Sequence, residues 1–139
     1  SGTWTSANSL ICHVYRGASG VGTNFSISTT TATQTWSAVT LTGKYSWLAG
    51  FVGHRSVNTT TLGTPPLLMT NLSINLGGNS DIASHDSNGP IFIDYATNNT
   101  TSGGTDAEAI TTVIEIKPLE TNTTQKVLRP KIFTPGIAR

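Results

Sequence analysis

Three histidines, with the polar residues beside them, are the side chains of this chain best suited to chemistry. They occur in the segments His54-Arg55 and His85 to Asn88, and beside the single cysteine as Cys12-His13. A Ser–His–Asp site requires three converging side chains, whereas His85 and Asp86 are neighbours that tend to point apart. The histidines also lack the short spacing of a metal site, such as His-x-His. We therefore predict no catalytic residues, no metal, no cofactor and no enzymatic activity.

Five residues in these segments remain candidates for a bound ligand or for a polar network that fixes loops. The candidates are His54, Arg55, His85, Asp86 and Asn88. Each segment lies where apolar sequence passes into a polar turn, and the loops of a β-sandwich cluster at its ends. We expect both segments together at one end of the sandwich, where a loop network is favoured over sugar binding.

Aromatic rings offer a second route to a ligand, because sugars stack on exposed tryptophan and tyrosine. The rings available for stacking are Trp4, Trp36, Tyr45, Trp47 and Tyr95. A core position is favoured for any one of them, since large rings are usually buried. Among these rings we expect Trp47 in the core, because it lies in the longest apolar alternation of the chain.

The element that must position these residues is the run KYSWLAGFVGHR at positions 44–55. Side chains on a strand alternate between faces, and here both faces are largely apolar. Trp47 and Phe51 share one face, and Leu48 and Val52 share the other. This pattern predicts a central strand that is covered on both sides.

Composition places the whole chain in the all-β class. Threonine and serine together supply 39 of the 139 residues, and 14 glycines, six prolines and ten asparagines provide turns. Threonine is β-branched and favours strands. No stretch of ten residues shows a convincing helical apolar period. We therefore predict one antiparallel β-sandwich domain over residues 1–116, resembling a jelly roll with about eight strands. The predicted strands are 9–16, 24–29, 34–42, 44–55, 67–76, 81–87, 90–96 and 108–116, of which the last places Ile110, Thr112, Ile114 and Ile116 together.

The last 23 residues differ in charge from the rest. Residues 117–139 carry a balance of +4, whereas residues 1–116 carry −3. Three prolines in this segment oppose a helix, yet its apolar residues are too many for a freely solvated tail. We predict an extended basic arm that docks on a neighbouring subunit, with a ninth strand on the same sheet as the alternative. Its partner-binding residues would be Lys126, Leu128, Arg129, Lys131, Ile132 and Phe133.

The single cysteine excludes an internal disulfide, which mildly favours synthesis in a reducing compartment. No stretch reads as a signal peptide or a membrane span. We therefore expect no membrane association, and nothing in the sequence indicates a nucleic-acid partner.

Four motifs together resemble small β-sandwich domains of virion structural proteins from tailed bacteriophages. They are CHVYRG at 12–17, GFVGHRS at 50–56, TPP at 64–66 with MTN at 69–71, and ASHDSNG at 83–89. The resemblance covers residues 1–116 and leaves the arm outside. It implies a location in the virion, after synthesis in the cytoplasm of a bacterial host, rather than a mechanism.

Two functions from different classes follow. The first is a capsid decoration or cement subunit, or a tail-associated one, that forms homo-oligomers and binds other virion proteins through its sandwich and arm. The alternative is a carbohydrate-binding module, as a receptor-binding fibre tip or a lectin. The arm discriminates between them, because a binding module does not need a basic, proline-punctuated apolar tail.

Overall fold

The computed structural model describes residues 10–31, 33–55, 65–75, 81–101 and 108–119. Within these ranges the chain forms seven strands and no helix. The strands are β1 (Ala18–Thr29), β2 (Thr33–Trp36), β3 (Trp47–Arg55), β4 (Thr70–Asn75), β5 (Asp81–Asp86), β6 (Asn98–Thr101) and β7 (Glu108–Pro118). All strand pairs are antiparallel. The predicted all-β, antiparallel class is therefore confirmed.

The strands form two sheets of unequal size. Five strands pair in the order β1-β7-β3-β5-β4, and β2 pairs with β6. The two-stranded sheet packs on one face of the larger sheet, here called the inner face, where the ring of Trp36 on β2 meets His85 on β5. The opposite face is called the outer face.

Strand β3 is the middle strand of the larger sheet, as its apolar alternation predicts. It pairs with β7 on one side and β5 on the other. Leu48 and Val52 are buried on the inner face, whereas Trp47 and Phe51 are half-buried on the outer face. Both faces are covered, because a second segment crosses the outer one.

The core tryptophan is Trp36 and not Trp47, so the prediction for Trp47 is wrong. Trp36 is 1% exposed, and its Nε1 donates a hydrogen bond to the Thr100 hydroxyl at 2.8 Å. Tyr95 is equally buried. The local alternation around Trp47 indicates a two-faced strand but does not say which face the second sheet covers.

Residues 10–16 lie across the outer face as an extended segment, here called the N-terminal strap, and not as the predicted strand. His13 Nε2 lies 2.6 Å from the Ser84 hydroxyl, and the His13 ring contacts that of Phe51. Tyr15 packs edge-on against Trp47. The strap is held by side chains on top of the sheet rather than by a ladder at its edge.

The isoleucines of strand β7 point away from the core, and the residues that alternate with them are buried. The buried residues are Ala109, Thr111, Val113 and Glu115. Ile110, Ile114 and Ile116 do lie together as predicted, but on the outer face.

Several strand boundaries differ from the predicted ones. Residues 37–46 and 90–97 are mostly irregular and share one bridge, Val39 with Tyr95. Side chains take the place of a regular ladder there, since Asp94 accepts a hydrogen bond from Leu41 N at 2.9 Å. Strand β6 lies between the predicted strands 90–96 and 108–116, where no strand was predicted.

The predicted arm falls almost wholly on residues 120–139, outside the described residues. Its proposed start is part of the fold, because β7 continues to Pro118 and Leu119 N donates to the Gly17 carbonyl. No helix in the described part of the chain is long and apolar enough to cross a membrane.

Candidate functional site

The two polar segments predicted to meet lie at different ends of the larger sheet. His54 pairs with Asp81, whereas His85 pairs with Gly50, four positions away along β3. That offset is about 13 Å at the usual rise per residue. The prediction of one joint cluster is wrong because β3 and β5 are antiparallel. The last residues of β3, which include His54, therefore lie at one end of the sheet, and the last residues of β5, which include His85, lie at the other.

His85 is a core residue rather than a surface ligand. Its ring meets Trp36 edge-on, with centroids 5.5 Å apart. Burial lowers the pKa of His85 from 6.5 to about 4. The imidazole is therefore neutral near pH 7 and serves as a packed ring.

His54 is also buried, opposite the buried Asp81 on the inner face. Neither of its ring nitrogens has a hydrogen-bond partner among the described residues. Arg55 pairs with Glu108 in the strand ladder. This end of the sheet therefore carries buried polar groups on its inner face.

The Asp86 side chain closes the turn that follows β5. Asp86 Oδ1 accepts a hydrogen bond from Asn88 N at 2.8 Å, which closes an Asx turn and holds Asn88 at a φ of 48°. Ser87 and Leu48 exchange two further hydrogen bonds. The turn after β5 is thereby tied to the start of β3.

A cleft of about 420 Å³ opens on the outer face at this end. The half-buried rings of Tyr15 and Trp47 and the buried Asp86 line it, and Arg16 and Lys117 contribute its cations. Burial and the nearby Asp86 carboxylate raise the pKa of Tyr15 to about 12. Tyr15 therefore keeps its proton at neutral pH and can donate a hydrogen bond into the cleft.

Within the described ranges, a dense polar network surrounds Glu115, which is not among the residues predicted as candidates. Glu115 is fully buried on β7, and its carboxylate accepts five hydrogen bonds at 2.7–3.0 Å. The donors are Thr23 N, Thr42 N, Thr42 Oγ1, Gly43 N and Ser46 Oγ. The only sequence signal was a lone carboxylate within the otherwise uncharged run 109–116.

These hydrogen bonds keep Glu115 charged. Burial by itself raises the pKa of the carboxyl, but the donors from Ser46, Thr42, Thr23 and Gly43 outweigh it and lower the pKa to about 2. The buried charge anchors residues 42–46 to the sheet from inside, so the loop before β3 has a fixed shape.

That loop and residues 91–94 form a second cleft, of about 520 Å³, here called the aromatic cleft. Its lining residues are Leu41, Gly43, Lys44, Tyr45, Ile91, Phe92 and Asp94. The rings of Tyr45 and Phe92 stand at 89° with centroids 5.7 Å apart. Of the two clefts, this one presents the more exposed rings.

The described residues contain no group of three or more histidine, cysteine, aspartate or glutamate side chains that could hold a metal ion. The contact between His13 and Ser84 resembles a base beside a nucleophile, but Ser84 is completely buried beneath the strap. A substrate could not reach that hydroxyl without displacing the strap, and the pair ties the strap to β5.

Comparison of the chain with models of known protein families, with curated proteins and with solved structures finds no match. The function must therefore be argued from the residues themselves.

Proposed function

We propose that the protein is a structural subunit of a tailed-bacteriophage virion, either a capsid decoration or cement subunit or a tail-associated one. It would bind neighbouring virion subunits through its sandwich and its C-terminal arm, without catalytic activity. The proposal starts from the sequence resemblance over residues 1–116.

The observation that carries the proposal is the apolar character of both edges of the larger sheet. Edge strand β1 exposes Val21 at 56% and Phe25 at 48%, and edge strand β4 exposes Leu72 and Ile74 at 45% each. A long edge with exposed apolar side chains promotes association with other chains. In a subunit of a many-copy assembly, neighbouring chains would cover these edges.

The direct test is the content of purified particles. Virions of the phage that encodes the chain would be purified by isopycnic centrifugation, and the chain would be quantified by mass spectrometry against the major capsid protein. We expect many copies per particle and antibody labelling on the particle surface. A chain found only in the soluble lysate, and not in the particle band, would reject the proposal.

Removal of residues 120–139 is expected to abolish attachment to particles while the remaining domain stays folded. The deletion begins after Leu119 because β7 and the Leu119–Gly17 hydrogen bond belong to the sheet. Binding of the purified full and shortened chains to particles that lack the protein would be measured by co-sedimentation, with circular dichroism as the folding control. Unchanged attachment, or unfolding of the shortened chain, would contradict the arm's docking role.

Two matched variants separate charge from apolar contact in the arm. Replacing Lys126, Arg129 and Lys131 with glutamine should weaken attachment mainly at low salt, because added salt screens the same charges. Replacing Leu128, Ile132 and Phe133 with serine should weaken attachment at every salt concentration.

A further inference from the structure

Two large aromatic rings stand exposed beside each other in the aromatic cleft. Tyr45 is 60% exposed and Phe92 is 73% exposed. Their perpendicular arrangement leaves ring surface open to solvent. Exposed aromatic surface of this kind is a common feature of binding sites.

The backbone of Tyr45 is strained, with a φ of 60°. This left-handed conformation costs free energy for a bulky residue and suits glycine or asparagine far better. A turn that served only to connect the chain to β3 would be more stable with glycine at this position. A strained tyrosine at this position is the kind of backbone feature that motivates a hypothesis of function.

The loop that carries Tyr45 is held rigidly from inside. Glu115 binds Thr42, Gly43 and Ser46, which flank the tyrosine on both sides. A loop whose flanking residues are already held in place loses less conformational entropy when a ligand binds.

The walls of the cleft combine aromatic surface with a few polar groups. The Asp94 carboxylate is held in place by Leu41 N, and Lys44 supplies an ammonium donor. A volume of about 520 Å³ lies within the roughly 300–1,000 Å³ range of small-ligand clefts.

We propose that the aromatic cleft binds an oligosaccharide of pyranose sugars. The C–H face of one sugar would stack on the ring of Tyr45 or Phe92, whose negative face attracts weakly positive C–H groups. Asp94 would accept hydrogen bonds from sugar hydroxyls and Lys44 would donate to them. A purely apolar peptide would leave both charges without a partner, and a phosphate would be repelled by Asp94.

The cleft of about 420 Å³ on the outer face is the weaker candidate for such a ligand. Its rings, Tyr15 and Trp47, are half-buried and pack against each other where the strap crosses the sheet. The saccharide site does not depend on the proposed place of the protein in a virion, since it can be tested on the purified chain.

The test uses the labelled full chain on an array of defined oligosaccharides that spans the common hexoses and N-acetylhexosamines. Calorimetric titration with the best-bound sugar would follow. We expect Tyr45→Gly and Phe92→Ala each to weaken binding about tenfold or more, which corresponds to about 1.4 kcal/mol. Leu67→Ala, which removes an exposed apolar side chain outside the cleft, should leave binding unchanged.

The glycine variant also reports on strain. Because glycine adopts a positive φ without steric cost, Tyr45→Gly should melt at the same temperature as the unsubstituted chain or higher while losing the sugar. Failure of the full chain to bind any sugar on the array would overturn the proposal. So would sugar binding that Tyr45→Gly and Phe92→Ala leave intact, or that Leu67→Ala weakens equally.

Discussion

Replacing Trp36 with alanine is expected to lower the free energy of unfolding by about 3–5 kcal/mol. The ring is completely enclosed and links the two sheets, because it sits on β2 and meets His85 on β5. It also lies against Gly50, where a Cβ would come within 3.2 Å of the ring. The substitution would leave a cavity between the two sheets, and the residues that line it could fill this cavity only if the sheets moved toward each other.

Trp47→Ala is the matched comparison, since it removes the same side chain from a half-buried position on the outer face. Its cost should fall within the roughly 0.5–3 kcal/mol of an ordinary substitution. Urea unfolding followed by far-ultraviolet circular dichroism would measure both. Equal losses in the two variants, or a larger loss for Trp47→Ala, would show that Trp36 is not the residue that joins the sheets.

Glu115→Gln is expected to lower the free energy of unfolding at pH 7 by about 1–3 kcal/mol, the cost of leaving a buried donor without its acceptor. An amide can replace one carboxylate oxygen, but its NH₂ group would then face either Thr23 N or the donors on residues 42–46. At least one buried N–H group would lose its acceptor, which is costly away from water.

The pH dependence of stability gives an independent measurement of the same carboxylate. Because the folded-state pKa of Glu115 lies below its unfolded value, its contribution is complete above about pH 4.5 and is lost as the pH falls toward 2. His85 contributes at higher pH. Because its pKa is lowered to about 4 in the folded state, the unfolded state takes up the proton first, and stability decreases as the pH is lowered from about 6.5 to 4. Glu115→Gln should retain the His85 slope and lose the slope below pH 4.5.

Gly22→Ala disturbs the hydrogen bonds of Glu115 from the side of β1. A Cβ at this position would collide with the Glu115 carboxylate, so the carboxylate would have to move away from its donors. The effects of Gly22→Ala and Glu115→Gln should therefore be less than additive, because both disturb the same hydrogen bonds. Strict additivity, or an unchanged acid profile in Glu115→Gln, would contradict the central role of this carboxylate.

The amino-acid sequence by itself determined the all-β class and the central place of β3. Both depend on local information, namely the threonine-rich composition and an alternation of apolar residues along one strand. It also located the Asp86–Asn88 turn, because Asx turns form within a few neighbouring residues.

Only the tertiary structure decided which face of each strand is the core face. Strand β7 carries isoleucines on one side and Val113 and Glu115 on the other, and alternation alone favours burial of the isoleucines. The core nevertheless takes the other side, and Glu115 is accommodated there because it finds donors as far as 92 residues away, at Thr23. A buried charge is tolerated only when such distant donors converge on it, and no local pattern in the chain records that convergence.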